Sequence, residues 1–305
     1  MQVFLAIIQP FILIALGAFL SRRPMFPRPL WEGVEKLVYY VLFPPLLFNS
    51  VAGASLTLSQ AGLYLACGVG SMTVGIALSW LVSKMAPAGR LADASVRQCG
   101  YRFNSYIGFA TVLALYGNAG LALFALLVGV WVPICNAAAV TDLAAAVGGR
   151  GAGLGGILKS IAKNPLILAT LAGLVFNVLG LAMPALVASV FKSLGAASLS
   201  LALMAIGSGL KLSAFRAEAR LLTFATVEKL LALPAVSFAI GLAAGLTPLE
   251  LGALLAFTAL PTANSCYILA VRMGGDGPLV ANLTTLQTVC SLATLPVWMW
   301  LAQGA

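Results

Sequence analysis

The sequence predicts an all-α integral membrane protein of about ten transmembrane helices, arranged as a 5+5 inverted repeat in which helices 4 and 9 are broken and cross. Three observations carry this. Of 305 residues, 61% are hydrophobic and only 8% charged, and the mean hydropathy is +1.05; a soluble domain of this composition would expose an enormous apolar surface. Apolar runs of about 20 residues recur along the whole chain between short polar or Gly/Pro breaks, which suits helices rather than barrel strands of about 10 alternating residues. Short motifs of the first half also recur, in order, in the second.

The expected spans are 3–20, 31–52, 60–83, 98–116, 119–143, 158–180, 185–209, 219–245, 250–271 and 279–302. The connections alternate in charge. Arg22, Arg23 and Arg28 follow the first span; Lys84, Arg90, Arg97 and Arg102 lie between or just inside the third and fourth; Arg150, Lys159 and Lys163 surround the fifth connection; Lys211, Arg216 and Arg220 mark the seventh and Arg272 the ninth. These are 14 of the 17 basic residues, and the intervening connections and both termini hold none. By the positive-inside rule the odd connections are cytoplasmic and both termini face outward, which in a bacterial inner membrane is the periplasm. No Lys or Arg precedes the first apolar run, the reverse of a secretory signal, so it reads as the first span.

Lys36, Lys192, Lys229, Glu35, Glu228 and Asp142 fall within expected spans, and an ionisable group there is a functional candidate by default. Lys36 and Lys229 each adjoin a glutamate about two turns from the cytoplasmic end, where snorkelling or pairing explains them. Asp142 is assigned no role. The net charge of +9 sets orientation here and does not point to nucleic acid. Cys67, Cys99, Cys135, Cys266 and Cys290 form no CxxC pair, which supports neither a disulfide framework nor a metal site; they read as buried free thiols. No cofactor is expected.

Four matches define the repeat. Gln9-Pro10 and Asn164-Pro165 open similar apolar runs; Val34-Glu-Lys36 parallels Val190-Phe-Lys192; Asn104-Ser-Tyr-Ile parallels Asn264-Ser-Cys-Tyr-Ile; and Pro133 answers Pro296. The offsets grow slowly from 155 to 163, so the halves are placed at 1–146 and 157–305, with a Gly-rich cytoplasmic linker at 147–156. Each half holds an odd number of spans, so the second enters the membrane inverted. The paired irregular helices are then the fourth, with Asn104 and Gly108, and the ninth, where Pro261 should break the helix near Leu260 because proline lacks a donor and crowds the preceding turn. Broken helices within a bilayer are tolerated where protein or a watery cavity covers the freed backbone, which marks a candidate binding site.

The chain resembles the auxin efflux carrier family of membrane transporters over nearly its whole length. The matching segments are Lys36-Leu-Val-Tyr-Tyr-Val-Leu-Phe-Pro-Pro-Leu-Leu-Phe48, Asn104-Ser-Tyr-Ile-Gly-Phe109, Asn164-Pro-Leu-Ile-Leu-Ala169 and, most specifically, Ala259-Leu-Pro-Thr-Ala-Asn-Ser-Cys-Tyr-Ile-Leu-Ala270 followed by Gly274-Gly-Asp276. The resemblance implies ten spans, crossing broken helices, alternating access, a homodimer, and small organic anions as substrates, auxin-like monocarboxylates or dicarboxylates. It also implies that Asn104 and Asn264 hold the substrate carboxylate. One departure stands out: Ala110 occupies a position where relatives often carry proline, which leaves the fourth-helix break resting on Gly108. The long cytoplasmic loop of the plant carriers is absent.

Interrupting two antiparallel helices at mid-membrane would present half-helix N-termini with unpaired N–H groups and positive dipole ends, suited to a carboxylate. The asparagines can add donors or simply recap the broken ends. Ser105, Thr262 and Ser265 are nearby donors that can equally bond their own backbone, and Tyr267 and Tyr106 can wall a substrate or pack the core. Lys36 and Lys192 are candidate charge-assisting groups. With no histidine and no carboxylate pair, uncoupled anion export is the expectation. Proton- or sodium-coupled symport and a non-transporting sensor are the alternatives, and an enzyme is not expected.

Overall fold

The computed structural model describes residues 2–53, 58–148, 155, 162–181, 183–210 and 218–304. Its secondary structure is helical, with no strand among the described residues: α1 (Gln2–Leu20), α2 (Arg28–Leu37), α3 (Phe43–Ala52), α4 (Leu58–Met85), α5 (Arg90–Tyr101), α6 (Ser105–Ala146), α7 (Pro165–Val178), α8 (Ala185–Gly209), α9 (Ala219–Val227), α10 (Leu233–Ala243), α11 (Pro248–Thr258), α12 (Asn264–Arg272) and α13 (Gly277–Gly304). Five stretches are long and apolar enough to cross a membrane, 62–85, 90–146, 185–209, 219–243 and 277–304, with shorter apolar helices at 7–20, 165–178 and 248–258. Large apolar side chains such as Ile12, Phe19, Val178, Leu186 and Trp300 stand exposed on the outside, as a hydrocarbon surround permits and water would not. The Gly-rich linker at 147–156 lies mostly outside the described residues.

Local chemistry explains where the helices bend. α2 runs into α3 through a wide π turn at Val38–Leu42, and α9 into α10 through another at Glu228–Ala232. Each π turn leads into a first-turn proline, Pro44 and Pro45 in α3 and Pro234 in α10. A π turn spreads the preceding carbonyls away from the ring, so the rod continues without a sharp kink. Asn164 caps α7 by accepting from the Leu166 and Ile167 N–H groups at 3.0 and 3.3 Å, with Pro165 at the first helical position; the Asn-Pro motif is thus a helix start. α6 is two helices joined at Gly117, whose φ of 60° and ψ of −152° only glycine adopts cheaply.

The fourth expected span differs from its sequence-based bounds. Its helix begins at Arg90, not at 98, and Arg97 and Arg102 are buried instead of belonging to a loop. Arg97 is tolerated there because its guanidinium forms a two-pronged pair with Asp142, at 2.6 and 2.7 Å, and lies 3.9 Å over the Trp80 ring. The break falls at Arg102–Asn104, between α5 and α6, so Gly108 is an ordinary helical residue and not the hinge. In the ninth span the break falls at residues 259–263, as Pro261 predicts.

Candidate functional site

The two interruptions touch. The Asn104 N–H donates to the Pro261 carbonyl at 2.8 Å, so each break supplies what the other lost. Two further freed groups find side chains from neighbouring helices. Trp131 Nε1–H donates to the Tyr101 carbonyl at the end of α5 (2.9 Å), the Thr262 N–H donates to Gln287 Oε1 (3.0 Å), and Gln287 Nε2 donates onward to the Ala225 carbonyl (3.1 Å). Satisfaction of this kind makes non-helical backbone affordable within a bilayer.

An aromatic cluster packs the two interruptions together. Phe103, within the first break, stacks at 4.4 Å on Phe257, just before the second, and Phe124 contacts Phe109 and Phe257 at 4.9 and 5.7 Å. Gly108 lies directly beneath Phe124, and a side chain there would also come within 2.7 Å of Leu260. Its role is close packing of the two breaks, not flexibility.

The expected site residues divide into three groups. Asn104 is 3% exposed, and its Oδ1 caps α6 by accepting from the Ile107 N–H at 3.3 Å, which turns the amide nitrogen away from the helix end. Ser105 and Asn264 are half-buried and Ser265 is exposed, and all three stand at the N-termini of α6 and α12. Thr262 and Pro261 are buried in support: Thr262 Oγ1 lies 3.1 Å from Cys266 Sγ. Tyr267 packs near Gly277. Lys36 and Lys192, by contrast, are exposed on α2 and α8. Their helical phase turns them outward, so the structure does not bring them to the crossing.

Three polar residues that the sequence reading passed over belong here. Arg102, 7% exposed, sits in the first break and reaches the second: Nη2 donates to Ser265 Oγ at 3.0 Å and Nη1 to the Ser265 carbonyl at 3.4 Å and to Gln98 Oε1 at 2.7 Å. No acidic group pairs with it among the described residues. Gln98 donates in turn to the Cys266 carbonyl at 3.2 Å, tying α5 to α12. Gln287 is the third. The signal in the sequence was an arginine flanked by Tyr101 and Phe103 two residues before an asparagine already singled out; counting it among loop charges hid it.

Glu228 and Lys229 correct a second expectation. Instead of snorkelling to a membrane face, they are 4% and 0% exposed within the protein. They lie on the π turn nine residues into the rod that starts at Ala219, a rise of about 14 Å or half a bilayer core.

Comparison with known proteins accords with this architecture. Residues 154–299 match a family described as membrane transport protein. The chain is 26% identical over 301 residues to the uncharacterized transporter YfdV of Escherichia coli K12, covering 96% of this chain and 95% of the relative, and YfdV of Shigella flexneri aligns equally. Joined to the motifs of the second, fourth, sixth and ninth spans, these matches make the chain similar to membrane transport proteins, through its second half in the family match and over nearly its whole length in the relatives.

Proposed function

We propose that the protein is a carrier that moves a small organic anion, a monocarboxylate or dicarboxylate, across a bacterial inner membrane by alternating access, and that the anion binds where the two helix breaks cross. The observation that carries this is Arg102, a buried guanidinium with no acidic partner among the described residues, set between two half-helix N-termini. Removing a full charge from water without compensation is costly; a carboxylate arriving beside Ser105, Asn264 and Ser265 would supply the missing countercharge, with dipole ends and amide donors assisting. The Ser265 side of the crossing is exposed, which gives the anion an approach.

The packing supports the inverted repeat of residues 1–146 and 157–305. α1 packs on α8, and its counterpart α7 packs on α3; α5 packs on α13, and its counterpart α11 packs on α6; α4 packs on α5, as α10 does on α11. In each of these three pairs a contact has its partner under exchange of halves, the pattern a pseudo-two-fold axis would create. We further read both termini as periplasmic, the protein as a homodimer, and the activity as transport rather than catalysis.

The test is direct. A thermal-shift screen of acetate, succinate and indole-3-acetate on detergent-solubilised protein should find a stabilising carboxylate, and liposomes should move it. Arg102→Gln, Asn104→Ala and Asn264→Ala should each cut flux well beyond any loss of folded protein; transport unchanged in all three would sink the assignment. A second reading, in which a cation travels with the anion, is favoured by one observation, the buried Glu228.

A further inference from the structure

The Glu228–Lys229 pair belongs to no part of the anion site, yet it is built into the same junction. The Glu228 carboxylate rests against Gly100 on α5, two residues before Arg102; a side chain at Gly100 would collide with it and with Ser79 of α4. Lys229 interacts electrostatically with Cys99 on α5, Cys135 on α6 and Cys266 on α12. Neither Glu228 Oε1 nor Lys229 Nζ has a hydrogen-bond partner among the described residues, and the two do not form an ion pair with each other. From α13, Trp298 Nε1–H donates to the Leu230 carbonyl at 2.8 Å and so satisfies the π turn, not the charges. Among the charged residues of the packed helices, Arg97 is neutralised by Asp142, Arg102 is turned to Ser265, and Lys84, Arg90 and Asp93 lie in the end turns of α4 and α5. The thiols of Cys99, Cys135 and Cys266 are the remaining titratable groups in reach.

Ion pairs retained purely for structure are closed and fully hydrogen-bonded, because the desolvation cost is otherwise unrecovered. This pair is open at both ends. A carboxylate in such a place is a group whose protonation changes the local charge within a low-dielectric region, where that change is felt at a distance.

We propose that Glu228, poised by Lys229, is a proton-binding site coupled to the anion site, so that the carrier takes up one proton for each anion it holds there. The inference rests on the anion-carrier reading above. A proton from water adds to a Glu228 carboxylate oxygen and gives the neutral acid, while Lys229 remains an ammonium. The pair thereby passes from net zero to +1, against the −1 of the arriving carboxylate. The anion favours protonation and protonation favours the anion, by the same factor in both directions. The π turn and Gly100 transmit the change, since the carboxylate presses on the helix that ends at Arg102.

The experiment uses full-length protein in nanodiscs with two readouts. Difference infrared spectroscopy across a pH titration should show a protonated-carboxyl band that is lost in Glu228→Gln, in protein whose melting temperature confirms folding. Binding of whichever of acetate, succinate or indole-3-acetate stabilises the protein should strengthen about tenfold as the pH falls, a typical coupling between two sites. In Glu228→Gln, a neutral stand-in for the acid, binding should be tight and indifferent to pH. Absence of the band in wild type, its persistence in Glu228→Gln, or an undiminished pH dependence in that variant would each overturn the proposal, the last pointing to the thiols. Should Glu228→Gln not fold, Glu228→Asp replaces it, and an unshifted band or unmoved pH profile overturns the proposal. If none of the carboxylates binds wild type, the carrier reading fails, and the infrared band alone decides whether Glu228 takes up a proton.

Discussion

Arg97 and Arg102 sit on neighbouring turns of one chain segment and are both buried, but they meet different partners. Arg97 is matched by Asp142 with side chains 9% and 11% exposed, so Asp142→Ala should destabilise the protein by about 3–5 kcal/mol by stranding a charge. Replacing both, Arg97→Met with Asp142→Leu, should recover most of that loss; thermal unfolding of the three variants decides it. Arg102 has only neutral acceptors. Arg102→Gln should therefore leave the melting temperature nearly unchanged or raised, yet weaken carboxylate binding about 10–100-fold, the value of a charge-assisted hydrogen bond, measured by calorimetry. Gly108 is decided by space and not by flexibility: Gly108→Ala should cost about 1–3 kcal/mol through overpacking against Phe124 and Leu260.

At the level of elements, the two breaks have unequal origins. The second is enforced by Pro261. The first has no proline: Tyr101-Arg-Phe-Asn leaves the helix because the Asn104 N–H bonds Pro261 across the junction, the Tyr101 carbonyl is taken by Trp131, and Asn104 then caps α6. A break held by tertiary partners rather than by its own backbone is the softer one, and hydrogen exchange should show the amides of Arg102–Ser105 opening more readily than those of 262–265. The thiols of Cys99 on α5 and Cys266 on α12 interact with each other from the two interrupted spans. Oxidative cross-linking of these two native cysteines should occur without added substitutions and should halt flux reversibly. Cys99→Ser should be insensitive to the same treatment.

Over the whole molecule, the proposed inverted repeat makes a topological prediction that does not depend on the substrate. Single cysteines at Met25, 80% exposed after α1, and at Leu181, 51% exposed before α8, should be labelled by a membrane-impermeant reagent from opposite sides. Labelling from the same side would overturn the orientation read from the charges. The helical class, most span positions and the turn at Gly117 were legible in the sequence, because each depends on local hydropathy or on one residue's backbone freedom. The ninth break was legible for the same reason, through Pro261. The fourth was misplaced toward Gly108, and Arg102 was counted with the loops, because neither has a local cause.

Composition and order alone fix that this chain belongs in a bilayer, and they place the break of the ninth expected span at Pro261. Those properties come from hydrophobic transfer and backbone stereochemistry, which act over a few residues. What only the folded arrangement decides is where the charges go. Lys36 and Lys192, plausible by sequence, are exposed, while Arg102, Glu228 and Lys229 are buried within the protein. A buried charge is defined by groups that approach it from other helices, some more than a hundred residues away, and no periodicity in its own segment records them.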